Sequence, residues 1–327
     1  MSREWISTAR GMEGVEIVGL VDMVPAAAQT RREEFGLKAE VGDDLASMLR
    51  LTRPDLVFDV TVPEAHASVA QTAFAHGCHV LAEKPMADSL EAGRAALAAA
   101  QRAGRLYAVM QNRRYQRSIR RVREFLRRGW IGPLTTVHVD FFLGPHFGGF
   151  RDQMAHVLLV DMAIHTFDAL RFVSGADPLS AYCHEWNPSG SWYAHGASAA
   201  AIFEMTGGVV ATYRGSWCAE GVNTSWECDW RFLGQTGSAT WDGAESFRAQ
   251  AVAPGVQTGL MREQATLSLP DLDTSAVQDG HASCIRHFID CVRTGATPET
   301  HAADNLKSLS MVFGAVESAE RRARVAI

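Results

Sequence analysis

In the first third of the chain, apolar residues come in short unbroken runs, and the stretches between them keep a helical period. The runs are Val15 to Val21, Asp55 to Thr61, His79 to Ala82 and Leu106 to Met110. Apolar runs of this length, without polar alternation, suit strands buried on both faces. The stretches Ala26 to Phe35, Asp43 to Leu51, His66 to Ala75 and Glu91 to Ala103 predict helices, with Asp43 or Asp44 as the N-cap of the second. Strand and helix in alternation predict a doubly wound parallel sheet.

The pattern changes after Gln111. Arg113 to Gly129 places Ile119, Val122, Phe125 and Leu126 at helical spacing beneath a solvated face of arginines. Thr135 to Leu143 predicts a strand, Gly144 to Gln153 a loop rich in Gly and His, and Val157 to Val173 a helix. A meander follows Gly175. Ala197 to Met205 and Val209 to Trp217 flank the turn Thr206-Gly207-Gly208, and Thr224 to Leu233 and Ser238 to Trp241 flank Gly234 to Gly237. Cys284 to Arg293 and Ala302 to Arg321 predict closing helices. The expected architecture is a dinucleotide-binding domain over residues 1–112 and an α+β domain with a large open, mainly antiparallel sheet over 113–327. The last helices are free to pack back on the first domain. An open sheet face has to be covered, so a homodimer or homotetramer is expected.

Composition narrows the class. With 327 residues, 47% of them hydrophobic, the chain can bury two cores. A net charge of −6, and arginines without interleaved aromatics, argue against nucleic acid or an anionic membrane as partner. No apolar run reaches the roughly 18 residues of a membrane span. Met1 to Arg10, interrupted by charge and by Trp5, has no signal-peptide anatomy, so a cytoplasmic protein is expected. Cys78, Cys183, Cys218, Cys228, Cys284 and Cys291 show neither CxxC nor zinc spacing. That predicts reduced, mostly buried thiols and no metal site.

Chemistry concentrates in two places. The run Gly77, Cys78, His79, Val80, Leu81, Ala82 goes straight into Glu83, Lys84 and Pro85, which sets a lysine at the carboxyl end of a parallel strand, where open α/β sheets bind ligands. Taken alone, Lys84 reads as a surface lysine beside a turn. Asp161 and His165 are four apart in a predicted helix and Asp168 is three further on, so all three are expected on one side. Taken alone, they read as a salt-bridged helix. Together the two groups suit hydride transfer at a secondary alcohol, in which one side chain removes the hydroxyl proton while a nicotinamide takes the hydride.

Asp22 ends the first apolar run as the ribose-binding acid of a dinucleotide fold does, about 20 residues after a glycine loop. Counting back places the end of that loop at Met1, and the chain contains no GxGxxG. Ser2 to Arg10 would be the helix that follows the loop. The expectation is a Rossmann domain truncated at its N-terminus: either a strand and glycine loop stand upstream of Met1, or the pyrophosphate cradle is lacking.

The ordered set Val21-Asp22, Thr61-Val62-Pro63 with His66, Gly77 to Pro85, Asn112 with Arg114, Gly129 to Gly132, Asp161 to His165 with Asp168, and Pro298 with Asp304, Asn305 and the helix through Ser318 resembles the Gfo/Idh/MocA family. The resemblance spans nearly the whole chain. It implies an NAD(P)-binding Rossmann domain and a second domain that supports the substrate. Lys84, Asp161 and His165 would carry the chemistry, with His165 as proton acceptor and Lys84 positioning the hydroxyl and the nicotinamide. Cofactor contacts would come from Asp22, Thr61, Pro63, His66, Glu83, Lys84, Pro85 and Asn112, and substrate contacts from Arg114, His156 and Asp168. An acid at Asp22 repels a 2′-phosphate, so NAD is expected, with NADP as the alternative. The glycine run that often precedes the family's aspartate is replaced here by Met154 to Val160, so His156 is expected to enter the pocket.

The implied activity is oxidation of a secondary hydroxyl of a sugar, cyclitol or polyol. A sugar hydrolase or epimerase that uses NAD without net redox, and a non-catalytic sugar or nucleotide sensor, are the competing readings. Trp186, Trp192, Trp217, Trp226, Trp230 and Trp241 all fall in the second domain, as core or interface or as a platform for sugar faces. Arg214, Glu220 and Asn223 are further candidates for a pocket rim.

Overall fold

The computed structural model describes residues 2–255, 259–273 and 280–327. The chain divides into two compact units, Met1–Tyr115 with Val277–Leu306, and Gln116–Ala276 with Lys307–Ile327.

In the first unit the elements run α1 (Ser2–Arg10), β1 (Gly19–Val21), α2 (Pro25–Phe35), β2 (Glu40–Gly42), α3 (Leu45–Thr52), β3 (Leu56–Asp59), α4 (Pro63–Ala75), β4 (His79–Ala82), α5 (Leu90–Ala103) and β5 (Tyr107–Val109). Local chemistry sets their ends. Asp44 caps α3 by accepting from the Ser47 amide at 2.8 Å, and Ser89 caps α5 through the Ala92 amide at 3.2 Å. The named strands pair in parallel, β1 with β2 and β3-β4-β5 in order, and Ala108 makes an isolated antiparallel bridge to His301. Among the described residues β1 and β3 are not hydrogen-bonded to each other, so the parallel sheet comes in two pieces. The run expected from Val15 is strand only from Gly19, because its neighbour among the described residues, β2, is three residues long. Leu56, Val57 and Phe58 of β3 are accordingly half-buried, although their sequence suits full burial. The core joins Trp5, Leu81, Ala108 and Met110 to Cys284, Ile285, Phe288 and Ile289 from near the other end of the chain.

The second unit contains α6 (Arg117–Arg127), β6 (Leu134–Phe142), α7 (Ile164–Ser174), β7 (Pro178–Trp186), β8 (Ser198–Met205), β9 (Val210–Ser216), β10 (Asp229–Gly234), β11 (Gly237–Trp241), β12 (Phe247–Val252) and β13 (Gln264–Leu267). Next come α8 (Gly280–Thr294), which belongs to the first unit, α9 (Ala302–Arg321) and β14 (Val325–Ala326). Nine strands form one sheet in the order β13-β12-β11-β10-β6-β9-β8-β7-β14. In it β6 and β9 pair in parallel, with Val137 opposite Ala211, and the other described pairings are antiparallel. Strand alternation sorts the side chains. Val137, Val139, Phe141, Phe203 and Tyr213 are buried, and Phe167 of α7 meets Phe203 and Tyr213 edge-on at 4.9 and 5.2 Å. The opposite face leaves Leu179, Tyr182 and Ile202 exposed.

The β8–β9 hairpin turns at Gly207, whose φ of 71° favours glycine, as its sequence predicts. Strands β7, β12, β13 and β14 complete the sheet beyond the predicted strand at Thr135 to Leu143 and the two predicted hairpins. Trp217, Trp230 and Trp241 are core, whereas Trp186 and Trp226 are exposed. All six cysteines are free thiols, and only Cys218 is not buried. No described helix is long and apolar enough to cross a membrane.

Candidate active site

The first cluster lies at the carboxyl ends of β3 and β4. The ladder continues one residue past β4, since the Glu83 amide donates to the Asp59 carbonyl at 2.8 Å. Glu83 is buried, and its carboxylate accepts from Trp5 Nε1 at 2.8 Å, which gives a charge withdrawn from water a strong donor. Lys84, one residue on, is half-exposed, and the Lys84–Pro85 peptide is cis. His66 is fully buried. Its Nδ1 lies 2.7 Å from the Pro85 carbonyl oxygen and its Nε2 3.1 Å from that of Thr61, so its ring sits between the two turns and as a neutral imidazole donates to one of these carbonyls.

Asp59 was missed as a functional residue, although an acid inside the apolar run from Leu56 to Val60 was the available signal. Its Oδ1 accepts from the Thr61 hydroxyl at 2.6 Å and the Thr61 amide at 3.1 Å. Oδ2 is buried with no hydrogen-bond partner among the described residues. Burial pushes the Asp59 carboxyl above its ordinary range, against the opposing pull of His66 and Thr61.

Asp22 directly follows β1, is exposed, and accepts from the Val24 amide at 2.8 Å, ahead of Pro25 at the start of α2. Asp22, Thr61 and Lys84 thus stand at the same end of parallel strands, with Pro63 opening α4. That is where an open α/β sheet takes a ligand. A carboxylate, a hydroxyl and an ammonium group at one sheet end are the kinds of group that hold the ribose and nicotinamide ends of a dinucleotide, and the 327 residues contain no GxGxxG. Asn112 faces α8, its Nδ2 3.3 Å from His281 Nδ1. Arg114 is buried and committed to the protein, donating to Asp304 at 2.7 Å and to the Glu299 carbonyl at 3.3 Å.

The second cluster lies before and within α7. The loop after β6 passes through Gly148 and Gly149, with φ of 69° and 71°, into a 3₁₀ turn over Gly149–Gln153. The predicted helix from Val157 opens as a π-helical turn over Leu158–Ala163 and becomes α-helical only at Ile164. Asp161 sits in that turn, and its carboxylate is gripped by Arg151, with Nε at 2.7 Å and Nη2 at 3.5 Å. The sequence reading passed over Arg151. Its signal was an arginine among Phe147, Gly148, Gly149 and Phe150, whose rings lie 5.2 Å (Phe147) and 4.7 Å (Phe150) from the guanidinium carbon. Every residue from Asp161 to Val173 is buried except His165, which is half-exposed.

Asp168 was expected beside His165. It is 1% exposed and accepts from the Ser308 hydroxyl of α9 at 2.7 Å, which in turn accepts from Arg171 at 2.8 Å. His156, with φ of 53°, is held by carboxylates from two elements: Nδ1 is 2.5 Å from Glu185 of β7, and Nε2 is 3.5 Å from Glu320 of α9. The bond to Glu185 holds the His156 imidazole above its ordinary pKa. Glu185 fits there because residue 196 is glycine, since a Cβ would fall 2.6 Å from its side chain. Arg214 pairs with Asp140 at 2.7 Å on an exposed sheet position, next to Tyr213 on the core face, and Glu220 pairs with His146 at 2.8 Å.

Comparison with known proteins agrees with both clusters being set on one recognised scaffold. The profile of the oxidoreductase family with an NAD-binding Rossmann fold, Gfo/Idh/MocA, matches residues 2–111, and that of the Gfo/Idh/MocA C-terminal domain matches residues 119–240. D-apiose dehydrogenase of Paraburkholderia graminis is 28% identical over 331 residues, covering 95% of this chain and 83% of that protein. The uncharacterized protein y4oX of Sinorhizobium fredii is 28% identical over 313 residues, covering 93% and 85%. In fold, the chain is similar to an oxidoreductase from Agrobacterium radiobacter crystallised with NAD⁺, L-tartaric acid and magnesium, at a TM-score of 0.85 and 21% identity, covering 99% of this chain and 95% of that one. With two profiles of one family matching in order over well more than half of its length, the chain belongs to the Gfo/Idh/MocA oxidoreductase family.

Proposed function

We propose that this oxidoreductase is a dehydrogenase that oxidises a secondary hydroxyl of a sugar, cyclitol or related polyol, with NAD as its cofactor. The observation that carries the reading is the burial pattern after Asp161: from a run otherwise shut off from solvent, His165 alone is presented. An imidazole in that setting is a proton acceptor suited to neutral pH. Bound NAD supplies the hydride acceptor. His165 takes the hydroxyl proton, and the Asp161 carboxylate, four residues earlier, favours the imidazolium that results. Lys84 orients the hydroxyl with its ammonium group.

Asp22 takes the ribose hydroxyls and disfavours a 2′-phosphate, so NAD is preferred to NADP. Thr61, Pro63, Glu83, Pro85 and Asn112 belong to the cofactor side, and His66 acts there through the backbone beside its ring. The similarity to D-apiose dehydrogenase supports a carbohydrate substrate. The open sheet face with Leu179, Tyr182 and Ile202 supports a homodimer or homotetramer.

The test is turnover of a panel of sugars, cyclitols and polyols with NAD, following reduced nicotinamide and product together. Equal amounts of NADH and ketone are expected. Product formed without NADH would replace this reading with redox-neutral hydrolysis or epimerisation. Equal rates with NADP would show that Asp22 does not meet the ribose.

A further inference from the structure

We propose that Arg151 is the positioning residue of this site, keeping Asp161 charged and aimed so that His165 can hold the proton taken from the substrate. The inference rests on the dehydrogenase reading for its chemistry but not for its geometry. The Asp161 side chain is only 11% exposed, and a carboxylate so far from water is costly unless cations or strong donors face it. Arg151 meets it with one edge of a planar fork, Nε at 2.7 Å to Oδ2 and Nη2 at 3.5 Å to Oδ1. A two-point contact fixes the carboxylate plane, which a point charge such as lysine does not.

The loop around Arg151 is arranged to hold the guanidinium. Phe147 and Phe150 are 52% and 57% exposed, so burial in a core does not account for them. Both rings lie within cation–π range of the guanidinium instead. The far side of the loop is tied down, since the Met154 amide donates to the Arg151 carbonyl at 3.2 Å and the Ala194 amide to the Asp152 carbonyl at 2.8 Å. On the near side, neither Gly148 nor Gly149 has a neighbour within 4 Å of where a Cβ would stand. Asp152, from the same loop, Tyr193 and Cys218 are titratable groups that also face this space among the described residues. Burial chiefly pushes the Tyr193 phenol up to about 12, and the charges of Asp152 and Asp161 add to the rise. Two acids and a phenol therefore share a space into which Arg151 brings a cation.

The test uses Arg151→Gln, Arg151→Lys, Asp161→Asn and the double variant Arg151→Gln/Asp161→Asn. In Arg151→Gln the acid limb of the kcat/KM profile should move to higher pH, because the carboxylate has lost a cation. Its kcat should fall by roughly tenfold, a part of the 10²–10⁴ that general acid–base catalysis contributes. Arg151→Lys should restore the acid limb but not kcat. In the Asp161→Asn background, Arg151→Gln should change kcat no further. A carboxyl-carbon NMR titration of Asp161, native against Arg151→Gln, reads the same coupling without substrate. An unmoved acid limb with full kcat would overturn the proposal, as would a rise in KM alone in both backgrounds. Should the native protein oxidise no polyol, the proposed function falls, and the NMR titration alone decides whether Arg151 governs Asp161.

Discussion

The turn after β4 and the π-helical turn before α7 each bury a carboxylate, yet they hold it by different means. Glu83 is met by the neutral indole N–H of Trp5, and the turn around it is held by ladder bonds. Asp161 and Glu185 are met by ionisable partners, Arg151 and His156. A carboxylate locked by a neutral donor and ladder bonds should depend less on the ionisation of its partner. One locked by ion pairs should respond to pH and to the loss of either partner. The difference suits the proposed division of labour, in which the lysine end is a fixed platform and the histidine end handles protons.

The largest expected effects come from the residue that each platform presents. His165→Ala should lower kcat by about 10²–10⁴, the usual contribution of a general base, while NAD binding changes little. Lys84→Ala should also lower kcat strongly, and should raise KM if the ammonium group orients the hydroxyl. Both side chains are half-exposed, so neither change should lower Tm by more than a few degrees. A His165→Ala enzyme with native kcat would remove the histidine end from the chemistry altogether.

Next in size is the pH dependence of stability. The His156 pKa is raised in the folded protein, first by its bond to Glu185. A cation stabilised by folding contributes fully below its unfolded pKa, near 6.5, and the contribution is lost as pH rises through the folded value. Tm of the native protein should therefore fall from pH 6.5 upward, and His156→Asn should be less stable at pH 6 and lose that slope. The strained φ of 53° at this position suits asparagine, so the variant tests the ion pair rather than the backbone. A slope unchanged in His156→Asn would show that the pair contributes nothing to it.

How much of each site could be read beforehand follows the same division. An apolar run ending in Glu83, Lys84 and Pro85 announces the platform, because ladder geometry is local and shows in the residue order. The π-helical turn is not legible. Leu158, Leu159, Met162 and Ala163 are all buried, so the apolar pattern carries no face and cannot register a change from α to π hydrogen bonding. Asp168 accepts from Ser308, 140 residues away, a partner that local spacing cannot anticipate. Strand β2 escapes notice because three residues have no period, and Arg151 because its partner lies beyond a loop that reads only as Gly and His.

Asp59 is the exception within the neutral platform, and it gives a smaller effect. Burial raises its carboxyl pKa, so the folded state holds the proton more tightly than the unfolded one. Stability is then lost as pH rises above the unfolded value near 3.9, through the folded value. Asp59→Asn keeps an acceptor for Thr61 and removes the charge. It should raise Tm at pH 7 by a few degrees, and the gain should shrink toward pH 4. A variant less stable than the native protein at pH 7 would show that Asp59 is paired in its charged form.

The smallest effect tests the comparison most directly. Glu83→Gln preserves an acceptor for the Trp5 indole at 2.8 Å and changes the volume hardly at all. The Lys84 amide, which lies 3.4 Å from the other Glu83 oxygen, loses only a long contact even if the amide nitrogen turns toward it. If the neutral donors and the ladder hold this turn, Tm should change by no more than the equivalent of about 0.5–1 kcal/mol, the net worth of one ordinary hydrogen bond. The equally conservative Asp161→Asn removes the partner of a guanidinium and should cost more, because a cation is left facing a neutral amide. Thermal melts of the two variants at one pH and two salt concentrations decide the matter. If Glu83→Gln is the more destabilising of the two, or the more sensitive to salt, the charge on Glu83 is essential to the platform and the two sites are held in the same way.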